Sequence, residues 1–245
     1  MSIKPKNQEL QLFIILSSVF IASLVSCNLI FQKFFSIDIW LPLIGDYKFE
    51  QSVGLLAYPV TFLITDIISE IYGQKRANQV VASGLIASIF ILVLVTVSDL
   101  IPSAQFGTGN IFAYNPATET EQAENIFHIV FGLSSAAVFA SMVAYLFAQF
   151  IDVRLFHFWK NLTQGKHLWL RNNASTILSQ CVDTFLVLFL LCYFNVIPWE
   201  KFGPYFINGF LFKIFFAAFD TPFFYLFSYT LKNKFGLKLN EEVSL

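Results

Sequence analysis

Charge is what this sequence has least of. Only 13% of its 245 residues are Asp, Glu, Lys or Arg, against roughly 25% in soluble globular chains. A soluble fold of this length needs polar side chains to cover its core, so the composition excludes an ordinary soluble domain. Disorder is excluded as well, because disordered chains are rich in charge and poor in aromatics. Here 31 residues are Phe and 56% are hydrophobic. The formal net charge of −1 provides no basic surface for nucleic acid. Cysteine is scarce. Cys27, Cys181 and Cys192 are too far apart for a disulfide framework or a zinc knuckle, and each sits in an apolar stretch as a small hydrophobe would.

Catalytic motifs are missing too. The sequence has no HExxH and no GxSxG. Gly107-Thr108-Gly109 lacks the Lys of a phosphate-binding loop. His128, His157 and His167 are scattered. No catalytic residue, metal site or cofactor is therefore expected. An intramembrane enzyme built on paired carboxylates, such as Asp66 with Asp183, has no motif behind it.

What the sequence does have is long uncharged runs, each near the roughly 20 residues that cross a bilayer. They predict one all-α, multi-pass membrane domain over 1–245, with six helices at about 10–31, 52–71, 78–100, 126–151, 173–197 and 205–231. The loops divide by charge. Lys4, Lys6, Lys75, Arg76, Arg154, Lys160, Lys166, Arg171, Lys232, Lys234 and Lys238 fall on one side, against only Lys33, Lys48 and Lys201 on the other. Cytoplasmic loops are the ones enriched in Lys and Arg. Both termini are therefore expected in the cytoplasm. A rival reading takes the N-terminus as a signal peptide or a lipoprotein leader, because Lys4 and Lys6 precede an apolar run and Leu24-Val25-Ser26-Cys27 resembles a cleavage box.

Ionisable and amide side chains inside spans are costly and mark function. Asp66 and Glu70 are four residues apart and share a helix face, although Glu70 also suits a solvated rim. Pro59 is expected to kink the same helix and free backbone carbonyls. Asn172, Thr176, Ser179 and Asp183 make one polar stripe, with Ser175 and Gln180 beside it. Lys213 and Asp220 lie seven apart. Lys213 is expected to neutralise a carboxylate on another helix, Asp183 or Asp220. Arg171 completes the set of residues for charge pairing or coupling. Asn28 and Asn208 supply amides. Gly132, Ala136, Ala140, Ala144 and Ala148 recur every four residues and predict close helix packing, within the chain or against a partner. A second copy and an energising ATPase both remain open as partners. A small-molecule transporter fits this pattern best.

The run from Tyr58 through Asp66 and Glu70 to Gly73-Gln74-Lys75-Arg76-Ala77 resembles the signature of the bacterial queuosine precursor transporters, grouped with vitamin uptake transporters. Ser26-Cys27-Asn28, Gln149-Phe150-Ile151-Asp152-Val153 with Phe156, Ala174-Ser175-Thr176 with Asp183-Thr184, and Phe212-Lys213 extend the resemblance along nearly the whole chain. Cys27 departs from it, standing where a small hydroxyl residue is expected, and the acidic stretch 102–124 has no match.

The resemblance implies import of 7-deazaguanine bases for transfer RNA modification: the cyano or aminomethyl precursor, or queuine. The polar residues suit such a ligand. Asp66 or Asp183 could accept the N1–H and the exocyclic amine. Asn28, Gln180 or Asn208 could donate to the ring carbonyl. Glu70 could balance an aminomethyl cation, and Phe rings could stack on the flat face. Another small vitamin-like compound is the alternative substrate.

Overall fold

The computed structural model describes residues 4–31, 33–41, 45–101, 127–128, 131, 135–164, 166–238 and 241–243. Its elements in order are α1 (Lys4–Ile30), β1 (Phe34–Leu41), β2 (Gly45–Ser52), a 3-10 turn (Val53–Ala57), α2 (Tyr58–Leu100), α3 (Ser135–Leu162), α4 (Leu168–Tyr193), a 3-10 turn (Trp199–Lys201) and α5 (Phe202–Phe235). Five of these helices are long and apolar enough to cross a membrane.

Helices form here because the apolar runs are long; α1, α3 and α4 have no Pro or Gly in their interiors, while α2 carries Gly73 and Gly84 and α5 carries Gly209 and Pro222. The polar groups lie inside and the apolar ones outside, the reverse of a soluble protein. Ile86, Phe90, Leu211, Phe215 and Phe219 are all more than half exposed, whereas Asp66, Glu70, Gln149, Asp152, Asp183 and Lys213 are buried. That arrangement suits a hydrocarbon solvent, in which every backbone group must be bonded within its own helix.

The sequence reading and the fold differ in several places. The helices expected at 52–71 and 78–100 are two arms of α2, meeting at Gly73, whose φ of 79° and ψ of 172° break the helix. Only Gly adopts that backbone region freely. Pro59 does not kink a helix, because α2 begins at Tyr58 and Pro59 sits in its first turn. A missing N–H costs nothing there. The helix expected to end at 151 continues through Arg154 and Lys160 to Leu162. Lys160, read as a loop residue, is therefore buried, with its ammonium 2.8 Å from Glu242.

The β-hairpin was not anticipated. Phe34 to Leu41 pairs antiparallel with Gly45 to Ser52, with Asp38 opposite Lys48. Alternation drives it. In β2, Tyr47, Phe49 and Gln51 turn inward while Asp46 and Lys48 face out.

Ala140, Ala144 and Ala148 are fully buried, so this part of the small-residue stripe packs within the chain. Gly132 lies outside the described residues, as do the side chain of Ala136 and the stretch 102–124. The core runs from Phe20 and Leu24 of α1 through Ile67, Ile68 and Ile71 of α2 to Tyr145, Val153 and Phe156 of α3 and Phe224 of α5.

Candidate functional site

Three polar layers stack along α2. Tyr58, Asp66 and Glu70 mark them, spread over 12 residues or about 18 Å of helix.

The first layer holds a cavity of about 190 Å³ beneath the hairpin. Cys27 and Phe31 wall it from the α1 side, Phe34, Gln51 and Ser52 from the hairpin, Tyr58 from α2 and Ser141 from α3. Asp183, Thr184 and Leu188 of α4 face Tyr205, Gly209 and Lys213 of α5. Asp183 and Lys213 form a buried ion pair, and the ammonium lies 5.0 Å from the centre of the Tyr58 ring. A buried pair is tolerated only when both partners are satisfied. Here the second carboxylate oxygen, Asp183 Oδ1, has no donor among the described residues. The cavity thus has largely apolar walls, with Asp183 and Lys213 in its lining.

The hairpin is anchored over this cavity by α5. The Tyr47 hydroxyl donates to Asn208 Oδ1, Gln51 Nε2 donates to the Tyr205 carbonyl at 3.3 Å, and Phe34 and Phe49 pack against Tyr205 and Phe212. On its exposed face Lys48 lies 2.9 Å from Glu50. The ammonium holds the carboxyl below its usual range and is itself raised by it. Both groups are solvated, so the pair contributes little stability.

A smaller cavity of about 20 Å³, room for about one water, lies between the first and second layers. Thr176, Gln180 and Asp220 line it, and Tyr58 and Lys213 line both cavities. The second layer is Asp66 of α2 with Asp152 of α3. Thr176 Oγ1 donates to Asp66 at 3.4 Å and Ser179 Oγ to Asp152 at 2.9 Å. Ser175 also bonds Asp152, and the two carboxyls bond each other. The third layer pairs buried Glu70 with Lys232 of α5. Beside it the 241–243 segment docks, the Val243 N–H donating to the Ile71 carbonyl at 2.7 Å.

The structure therefore joins some of the sequence candidates and separates others. Asp183 and Lys213 meet in the larger cavity, and Lys213 pairs with Asp183, not Asp220. Gln180 and Asp220 reach the smaller cavity. Asn28 lies behind Ser141, accepting from its hydroxyl at 3.3 Å and approaching Ser88 Oγ at 3.5 Å. Ser175 and Asp66 belong to the second layer and Glu70 to the third, where it is buried and not at a solvated rim. Asn208 holds the hairpin. The Arg171 side chain lies outside the described residues.

Asp152, Tyr58 and Gln51 were missed. Asp152 was readable from its period: Gln149, Asp152 and Phe156 continue one face beyond the expected helix end, and all three are fully buried. Gln51 sits on a strand face that a helical reading hides.

Comparison with known proteins finds a family and two named relatives. Residues 52–227 match the family model described as "Putative vitamin uptake transporter". A Bacillus subtilis protein named "Probable queuosine precursor transporter" is 24% identical over 180 residues, covering 73% of this chain and 72% of that protein. A Haemophilus influenzae protein of the same name is 25% identical over 217 residues, covering 85% of this chain and 83% of that protein. No solved structure matches the chain. The family model covers Tyr58, Asp66, Glu70, Asp152, Asp183, Lys213 and Asp220, though not the α1 and β1 walls of the first layer or Lys232 of the third, and the chain belongs to the vitamin uptake transporter family that includes proteins named as queuosine precursor transporters.

Proposed function

We propose that this multi-pass membrane protein is an inner-membrane importer of 7-deazaguanine bases, a single transmembrane unit with six crossings and both termini in the cytoplasm. The two arms of α2 count as separate crossings in this reading. Gly73 breaks the helix between them, and Lys75 and Arg76 follow at once on the side that carries most of the basic residues.

The observation that carries the substrate assignment is the Asp183–Lys213 pair in the wall of an otherwise apolar cavity. At about 190 Å³ the cavity is smaller than the roughly 300 Å³ at the lower end of drug-sized pockets. It suits a flat two-ring base better than a long vitamin. Asp183 accepts from the N1–H and exocyclic amine of the guanine-like edge. Lys213 or the Gln51 amide donates to the ring carbonyl. Tyr58, Phe31 and Phe34 cover the faces. The names of the curated relatives point to the same substrate class.

The test uses cells unable to make queuosine and lacking their own importer. They express the chain, receive each of the three bases at low concentration, and carry the enzymes that incorporate each one. A boronate-gel shift of the target transfer RNA that depends on the chain is the expected result. Confirmed membrane expression without a shift for any base contradicts the assignment and turns attention to other small vitamin-like compounds.

A further inference from the structure

We propose that the Asp66–Asp152 carboxyl pair is a proton-binding site whose loading and release drive the import reading given above, on which this inference rests.

Four carboxyls are buried among the described residues: Asp66, Glu70, Asp152 and Asp183. Two of them are neutralised. Glu70 pairs with Lys232 and Asp183 with Lys213. Asp66 and Asp152 have no ion-pair cation among the described residues and bond each other instead. Their hydroxyl partners all come from α4: Thr176 donates to Asp66, and Ser175, Thr176 and Ser179 reach Asp152. Asp66 Oδ1 and Asp152 Oδ2 have no donor of ordinary hydrogen-bond geometry among the described residues. A carboxylate only accepts hydrogen bonds, so two carboxyls bonded to each other must hold a proton between them.

Among the described residues, no cation pairs with the two carboxyls in place of that proton. Asp220 faces the pair from α5 and Tyr145 from α3. From α4 come the hydroxyls of Ser175, Thr176 and Ser179. Lys213 in the layer above is already engaged by Asp183, and Lys232 in the layer below by Glu70. Stripping the proton would leave adjacent buried charges, each costing several kcal/mol of desolvation.

The site is also connected to the substrate cavity. Thr176 touches Asp66 and lines the smaller cavity, which shares Tyr58 and Lys213 with the larger one. A proton arriving from the hairpin side can reach the pair past the substrate position. Ionisable groups buried in spans commonly serve as such relays.

The test uses purified full-length protein in vesicles with labelled 7-cyano-7-deazaguanine. Exchange of labelled for unlabelled base, with no gradient, first establishes transport. Net uptake is then measured with the outside more acidic. For one proton carried per base, a gradient of one pH unit supports about tenfold accumulation. The ratio of uptake with the gradient to uptake without it should fall to one in Asp152→Asn. Infrared difference spectra of substrate-free wild type should also contain a protonated-carboxyl stretch at neutral pH that the Asp66→Asn/Asp152→Asn protein lacks.

Exchange without any gradient response in wild type overturns the proton site and leaves the importer reading standing. A gradient response preserved in Asp152→Asn, or no protonated-carboxyl stretch in wild type, overturns it as well. No exchange of any of the three bases overturns the importer reading and the coupling together.

Discussion

At the scale of single residues, the proposed site predicts that the Asp183–Lys213 pair affects both stability and binding. Lys213 is 7% exposed and Asp183 1%, so removing one partner strands a buried charge. Lys213→Met should cost about 3–5 kcal/mol. Lys213→Met combined with Asp183→Leu should recover most of that loss while still failing to bind base. Thermal unfolding in detergent reads the first effect and labelled-base binding the second. A double variant as unstable as the single one would show that the pair is not what holds α4 to α5. Both residues were legible in the sequence because a charge inside an apolar run is conspicuous, although which carboxylate Lys213 meets required the fold. Asp152 was less legible because it falls just past an uncharged run and resembles a rim residue. Only its contact with Asp66, from a helix 86 positions earlier in sequence, reveals its setting.

Among the elements, α2 and the hairpin shape the site. Gly73 is the joint of α2, and a Cβ there would meet the Glu242 carboxylate. Gly73→Ala should therefore cost about 1–3 kcal/mol through the backbone alone, and it should also displace the 241–243 segment from Ile71. Adding Glu242→Ala should relieve the steric part and leave the backbone part. Protease sensitivity of the C-terminal segment, read beside the melting temperature, separates the two. A Gly73→Ala protein with unchanged melting and an unchanged tail would refute the joint. The helices themselves were legible from uncharged run length, within a few residues at most ends. The joint was read as a loop between two helices, because Gln74-Lys75-Arg76 is polar and sequence cannot show that helical backbone resumes at once after Gly73. The hairpin was hidden for another reason. Its alternating pattern is short and lies next to long helices, so apolar content was read there without period.

Across the whole molecule, the distribution of charge predicts the orientation. In a background lacking the three cysteines, Asp46→Cys should react with an impermeant maleimide on intact cells. Lys75→Cys should react only after permeabilisation. Labelling of both from outside, or of neither, would contradict six crossings with the hairpin outside. This expectation comes from the sequence alone, because the Lys and Arg bias acts on loops whatever the fold between them. The cavity was not, since it is assembled from all five helices and the hairpin. Its central claim is that a flat base occupies the space between Gln51, Tyr58, Asp183 and Gly209. Gly209 tests that space without touching charge. A Cβ there lies 3.3 Å from Thr184 Cγ2 and 3.4 Å from Gln51 Nε2, so a larger side chain must enter the cavity. The most direct measurement is equilibrium binding of labelled 7-cyano-7-deazaguanine to purified wild type and to Gly209→Leu of matched melting temperature. The account predicts saturable binding by wild type and its loss in Gly209→Leu. Equal binding by both would place the substrate elsewhere.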